Sequence, residues 1–212
     1  MKGIVWLLFV AATSVVAVAQ GVVPGSVEVS GNAGGDNQKG TDNKGHVNFG
    51  FGAAYNLSKL VTVGFDYAYQ PLGTGDAGVG NGVDDYALSA KEHLQLFGGM
   101  ARFSLLKNRH AVPYVVLAGG GVTLSANVTV TGYGPGAISG SSSGSQSGGY
   151  AGGGGGVSVF LTHHLGLRPE VRYERLQFHS TDIDGYYAHG NGTNEVEGTL
   201  AVFYQFGGYR RR

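Results

Sequence analysis

Between residues 61 and 70 the chain alternates without a break: Val61, Val63, Phe65, Tyr67 and Tyr69 fall on one face, and Thr62, Gly64, Asp66, Ala68 and Gln70 on the other. Period two marks a β-strand with two unlike faces, because successive side chains of an extended chain point to opposite sides. Residues 46–55 repeat the pattern, with Val47, Phe49, Phe51, Ala53 and Tyr55 on one parity and Asn48, Gly50, Gly52 and Ala54 on the other. Residues 165–174 set Leu165, Leu167, Val171 and Tyr173 against Arg168, Glu170, Arg172 and Glu174, so charges of both signs crowd one face. Residues 195–206 set Val196, Leu200, Val202, Tyr204 and Phe206 against Glu195, Glu197, Thr199 and Gln205, with Phe203 joining the polar side.

Four weaker segments complete a set of eight. Residues 26–35 carry Val27, Val29 and Ala33 against Glu28, Ser30 and Asn32; residues 150–161 begin as glycine and end with Val157, Val159 and Leu161 on one face. Residues 93–105 leave the register open, because Leu94, Leu96 and Met100 compete with Phe97, Ala101, Phe103 and Leu105; an inward Arg102 and Ser104 would turn the second set out. Residues 111–122 are apolar on both parities and end in Gly119, Gly120 and Gly121. The connections 56–59, 106–110 and 162–164 read as tight turns, whereas 36–45, 71–92, 123–149 and 179–193 read as long loops rich in Gly, Ser, Asn and Asp. Short and long links thus alternate strictly, and an even strand count brings both chain ends to the short-turn side.

Composition narrows the setting. The 212 residues suit one domain. Charged residues are 13% of the chain, well below the roughly 25% usual in soluble domains. Lys plus Arg and Asp plus Glu balance at 14 each, so no net positive field draws in nucleic acid. With no cysteine, disulfides, thiolate metal sites and cysteine nucleophiles are excluded. Lys2, the apolar run 4–18 and the small-x-small triplet Ala17-Val18-Ala19 read as a cleavable export signal over residues 1–19. A domain over 20–212 follows, with a short basic tail at 207–212. Beyond Gln20 no stretch supplies the ~20 apolar residues of a spanning helix, so a membrane-embedded chain would cross as strands.

In a soluble sandwich the apolar face is the core and charges meet water; in a membrane barrel the sense reverses. Lipid cannot satisfy backbone polar groups, so the sheet must close, and the enclosed face holds the polar side chains. The expected fold is therefore all-β: an eight-stranded antiparallel up-and-down transmembrane β-barrel. Its interior is expected to hold an ion-pair network in which Glu28, Asp66, Glu170, Glu174 and Glu197 pair with Arg102, Arg168 and Arg172, because isolated buried charge is expensive. Tyr55, Tyr67, Tyr69, Tyr173, Tyr204 and Phe206 lie towards strand ends, where interfacial aromatics gather. Pro169 is the discordant residue, since a closed barrel offers no free edge for a missing donor.

No catalytic, cofactor-binding or metal-binding constellation emerges. Gly73-Thr74-Gly75-Asp76-Ala77-Gly78 matches a dinucleotide-binding glycine pattern but lacks the strand before and helix after that such a motif needs. Residues 152–156 lack the Lys and Ser/Thr of a phosphate loop. The adjacent His163 and His164 point apart, and neither 36–45 nor Asp182-Ile183-Asp184-Gly185 matches a calcium loop. His179 and Ser180, with Asp182 or Glu195, suggest at most a hydrolytic site that only a special loop geometry would assemble.

Pro113-Tyr114-Val115-Val116-Leu117-Ala118-Gly119-Gly120-Gly121, the run Gly152 to Gly156 followed by Val157-Ser158-Val159, and His164-Leu165-Gly166-Leu167-Arg168-Pro169-Glu170-Val171-Arg172-Tyr173 resemble the OmpA-like outer-membrane β-barrel domain superfamily. The resemblance implies a small, porin-like barrel integral to the Gram-negative outer membrane, surrounded by outer-membrane lipid and inserted by the barrel-assembly machinery. It implies a structural or surface-interaction role; the length of loops 123–149 and 179–193 makes them the expected contact surfaces for a host-surface or extracellular ligand. It carries no peptidoglycan-binding role, and Gly207 to Arg212 extend past Phe206, the aromatic at which such barrels usually end. The competing expectations are a lipid-A-hydrolase type of barrel enzyme and a soluble lipocalin-like ligand-binding barrel; the latter would put its apolar residues inside.

Overall fold

Each alternating segment becomes a strand, and in those that carry charges the charged parity turns inward. A computed structural model describes residues 21–36, 46–80, 85–106, 110–133, 138–179, 181–183, 186–188 and 192–207. The strands are β1 (Ser26–Asp36), β2 (Val47–Asn56), β3 (Val61–Gly80), β4 (Asp85–Ser104), β5 (Ala111–Tyr133), β6 (Gly140–Phe160), β7 (Leu165–Phe178), the short pair β8 (Thr181–Ile183) and β9 (Tyr186–Ala188), and β10 (Gly192–Gly207). Eight of them form one closed antiparallel barrel in the order β1-β10-β7-β6-β5-β4-β3-β2, while β8 and β9 pair only with each other. Closure is made by β1 and β10, in register from Ser26↔Gly207 to Asp36↔Glu197.

The links at one end are tight. Ser58 N donates to Val61 O at 3.1 Å, and Ser58 Oγ accepts from Leu60 N and Val61 N at 3.1 and 3.0 Å. Thr162 Oγ does the same work at the β6–β7 turn, accepting from Leu165 N at 3.0 Å. Such hydroxyls supply a backbone-like acceptor where the chain reverses. His164 lies at this turn with its Nδ1 2.9 Å from Gln205 O. The proposed export signal and the tail 208–212 lie outside the described residues.

At the other end the structure corrects two loops. The stretch 71–92 is mostly strand, since β3 runs to Gly80 and β4 starts at Asp85. The stretch 123–149 is likewise the upper half of a β5–β6 hairpin, paired from Thr123↔Ser147 to Val130↔Gly140. Residues 179–193 include β8 and β9. These segments escape the pattern because the polarity of their faces inverts: the outward parity changes from Val115 and Leu117 to Thr123, Ser125, Asn127, Thr129 and Thr131, while Leu124, Val128 and Val130 take the inward one. The glycine motif at Gly73 to Gly78, expected to lack a strand before it, continues β3 and is preceded by it. It is itself strand rather than the loop before a helix, with a register shift between Pro71 and Thr74 and a φ of 93° at Gly73. A positive φ at a bulge is a glycine position.

The barrel is apolar outside and charged inside. Phe51, Leu117, Val171, Leu200 and Val202 are each more than half exposed, whereas Glu28, Arg102, Arg168 and Glu174 are each at most 5% exposed. In β4, Arg102 points in, so Phe97 and Phe103 face out and Leu94, Leu96 and Met100 line the lumen. Aromatics gather in rows at both ends of the belt: Phe206 pairs with Val27 and Val27 with Tyr55 near the turns, and Phe49 pairs with Tyr69 and Phe51 with Tyr67 near the loops. Tyr173 faces out opposite Val196, and Tyr204 stacks with His164 at 5.6 Å between ring centroids. From Val61 to Tyr69 this belt spans roughly 20 Å along the barrel axis, allowing about 3.3 Å per residue and the usual strand tilt.

Pro169 sits where the ladder is interrupted. The β6–β7 register runs to Gly156↔Glu170 and resumes at Val159↔Leu167, which leaves Pro169 in the gap. Arg168 Nε donates to Ser158 Oγ at 3.1 Å across the same gap. Pro113 lies opposite Val157 near the end of β5, and Pro71 flanks the β3 bulge.

Candidate functional site

The inward side chains stack in layers from the turn end to the loop end. At the turn end Asn56 is the hub: its Nδ2 donates to Ser26 Oγ at 2.8 Å and its Oδ1 accepts from Thr62 Oγ1 at 2.5 Å. Beside it Phe203 packs edge-on to Phe160 at 5.2 Å, with Val112 in the same cluster. Phe203, the odd residue on the polar parity of β10, is thus a lumen residue, 1% exposed. Gly166 leaves the room it needs, since a Cβ there would stand 2.3 Å from Phe203 Cζ.

The second layer is a tripod. Glu28 on β1 accepts from Arg102 Nη2 on β4 at 2.6 Å through one oxygen and from Arg168 Nη2 on β7 at 2.7 Å through the other. These strands stand three, three and two steps apart around the ring of eight, so one carboxylate ties three sectors of the wall together. The Arg168 guanidinium also lies 4.4 Å from the centre of the Phe203 ring, and both arginines lie 5.9 Å from that of Tyr114. Cation–π contact of this kind favours a desolvated guanidinium.

The third layer centres on Arg172. Its Nη1 lies 2.6 Å from Asp66 Oδ2 and 3.7 Å from Glu174 Oε1, and its Nε donates to Glu170. β3, which carries Asp66, is four steps from β7, so the Asp66–Arg172 pair spans the full diameter. Tyrosines complete the layer: the Tyr114 hydroxyl donates to Glu170, and the Tyr150 hydroxyl to Asp66 Oδ1 at 3.4 Å. Two small cavities, each with about 20 Å³ of room, lie above and below, and Asp66, Arg172, Asn32 and Thr199 line both. That volume admits about one water each.

Nearer the loops, carboxylates pair with amides. Glu197 accepts from Asn48 Nδ2 at 2.6 Å and Glu195 from Gln70 Nε2 at 2.5 Å. Leu72, Leu94, Leu96, Val122, Tyr150 and Leu176 then close this end with an apolar cluster.

Of the expected network, seven members (Glu28, Asp66, Arg102, Arg168, Glu170, Arg172 and Glu174) stand in these ion pairs, and Glu197 meets Asn48 rather than an arginine. The tyrosines, Asn48, Gln70 and Ser158 were not among the expected members. Inward parity is the signal that finds Asn48, Gln70 and Ser158; for the tyrosines it is the facing glycines, since a Cβ at Gly156 or Gly98 would lie 2.6 Å from the hydroxyl of Tyr114 or Tyr150 respectively. Of the hydrolytic candidates, His179 has its Nδ1 3.3 Å from Ser147 O, and Ser180 lies outside the described residues. A layered set of paired charges capped by apolar clusters is suited to filling and bracing a lumen.

No known protein family and no curated protein matches the sequence. Solved structures do. The Neisserial surface protein A is similar with a TM-score of 0.51 and 16% identity, over 86% of this chain and 99% of that one. The attachment invasion locus protein Ail of Yersinia pestis, solved in complex with the heparin analogue sucrose octasulfate, is similar with a TM-score of 0.50 and 12% identity, over 86% and 99%. Closed strand order, lumenal charge and these two likenesses agree: the chain has the fold of the small eight-stranded outer-membrane β-barrels.

Proposed function

We propose that this protein is an integral outer-membrane barrel with a structural or surface-contact role, carried by the segments 123–149 and 179–193 at the loop end. The observation that supports it most is the inverted distribution of polarity: a belt of exposed Phe, Val, Leu and Tyr around a lumen of paired Arg, Asp and Glu. Apolar surface of that extent does not suit water, and closure leaves no backbone edge to lipid along the belt. It also opposes a lipocalin-like reading, which needs the apolar residues inside.

In this reading the tight turns and both chain ends lie on the periplasmic side, residues 1–19 direct export, and the assembly machinery takes up the last strand ending near Phe206. The filled lumen disfavours an aqueous pore. The contact role draws support from two strand hairpins that continue past the belt, and from the presence of a surface protein and an attachment protein among the similar folds. Cell fractionation combined with gel mobility in detergent tests it. The full chain should stay with outer membranes after an alkaline wash and run at a different apparent mass before and after boiling; a wash-soluble protein with unchanged mobility would sink the proposal.

A further inference from the structure

We propose that the outward face of the β4–β6 sheet just above the apolar belt is a docking surface for the phosphorylated saccharide headgroups of the lipid whose tails meet that belt. This rests on the membrane reading and specifies which part of the barrel grips the leaflet.

The face is ordered. β4 and β5 pair without a register shift from Ser104↔Tyr114 to Asp85↔Tyr133, so the parity that holds Phe97 and Leu117 outward in the belt continues outward above it. There it becomes Gln95, His93 and Lys91 on β4 and Thr123, Ser125 and Asn127 on β5. β6 adds Ser147, Ser145 and Ser143. The residues form cross-strand rows, Gln95–Thr123–Ser147, His93–Ser125–Ser145 and Lys91–Asn127–Ser143, with Ser89–Thr129–Ser141 beyond. Neighbours in a row stand about 5 Å apart and successive rows about 7 Å apart. That is a flat lattice of neutral donors and acceptors with the His93 imidazole and the Lys91 ammonium along one side. Sugar hydroxyls match the lattice, and phosphate matches Lys91 and His93.

Height selects the occupant. The His93 ring lies 5.4 Å from that of Tyr69, the last outward aromatic of β3, so the rows of His93 and Lys91 begin where the belt ends. The polar zone of a leaflet is only about 5–8 Å deep, and two rows fill it. The acids on this face stand farther out: Asp76 lies opposite Ser89, and Asp85 opposite Tyr133 at the tip. The Lys91 ammonium and the His93 imidazole at headgroup depth, with acids beyond it, suit a phosphorylated layer below and water above. On β4 and β5 the opposite face carries Leu88, Val128 and Val130, whereas Ser142 of β6 shares that face with Val128, so the hydroxyls are segregated on β4 and β5.

The test titrates fluorescent lipopolysaccharide into the purified full chain in non-ionic detergent. Heat-modifiable mobility is checked first, so that failure of the barrel reading is seen separately from failure of this one. Wild type should bind saturably. Lys91→Ser/His93→Ser should weaken binding at least tenfold and Thr123→Val/Asn127→Leu about threefold, each with unchanged mobility. Enzymatic removal of the phosphates should weaken wild-type binding as much as the Lys91 and His93 changes do. Absence of saturable binding, or equal binding by variants that fold, would overturn the proposal. Equally tight binding of the lipid-free core saccharide would make the face a soluble-glycan surface, and a two-chain mass indifferent to lipopolysaccharide would make it a self-association surface; either overturns it.

Discussion

Glu28 is the residue on which the lower lumen depends, because it is the shared partner of two arginines that are 4% and 5% exposed. Breaking a buried pair leaves an uncompensated charge, which costs about 3–5 kcal/mol. Glu28→Gln should therefore lower barrel stability in lipid vesicles by about 3 kcal/mol, read from the midpoint of urea unfolding. Arg102→Met should cost less, because Arg168 still neutralises Glu28; equal losses would show that the tripod is not the unit. Gly156 offers a steric counterpart. A Cβ there would meet Pro169 O at 2.4 Å and the Tyr114 hydroxyl at 2.6 Å, and Gly156→Ala should cost about 1–3 kcal/mol by overpacking. Replacing Tyr114 by Phe in that background should recover part of the loss in the same unfolding experiment. At this scale the charged members were legible because Asp66 and the run Arg168, Glu170, Arg172 and Glu174 share a parity. Tyr114 and Tyr150 were not, since each lies in a stretch where glycine or apolar residues occupy both parities and only the facing glycines reveal the ring's place.

At the scale of elements, the strand cores in the belt could be read and their upper ends could not. Alternation of apolar-out with polar-in holds only where the outward face is apolar; above the belt β5 reads Thr123-Leu124-Ser125-Ala126-Asn127-Val128-Thr129 with the senses exchanged, and β6 there is almost all Gly and Ser, the composition of a linker. Pro169 looked discordant for a related reason: sequence shows the missing donor but not the gap in the β6–β7 ladder that accommodates it. The ion pairs of the lumen join Glu28, Asp66, Arg102, Arg168, Glu170, Arg172 and Glu174, which lie in the barrel wall below the upper hairpin. Replacing 124–146 by Asn-Gly, a favoured two-residue hairpin turn between the paired Thr123 and Ser147, should leave the barrel able to insert. Its unfolding midpoint should stay within about 1 kcal/mol of the full chain, as expected for a change remote from the buried network. A shortened chain that no longer shows heat-modifiable mobility would mean that the hairpin nucleates the sheet.

The whole molecule is defined by which of its two faces meets what. Both faces were readable once closure was assumed, because a row such as Phe206–Val27–Tyr55 is consistent with lipid only if Glu28 is enclosed. The direct measurement is a cysteine scan along β10, which a chain without native cysteine permits. Single cysteines at positions 199–206, spin-labelled in a reconstituted bilayer, report contact with lipid-soluble oxygen against a water-soluble nickel chelate. Labels at Leu200, Val202, Tyr204 and Phe206 should be relaxed by oxygen, whereas those at Thr199, Ala201, Phe203 and Gln205 should be shielded or should fail to incorporate. Reversed alternation, or none, would contradict a barrel that keeps its ions inside and its apolar side chains in lipid.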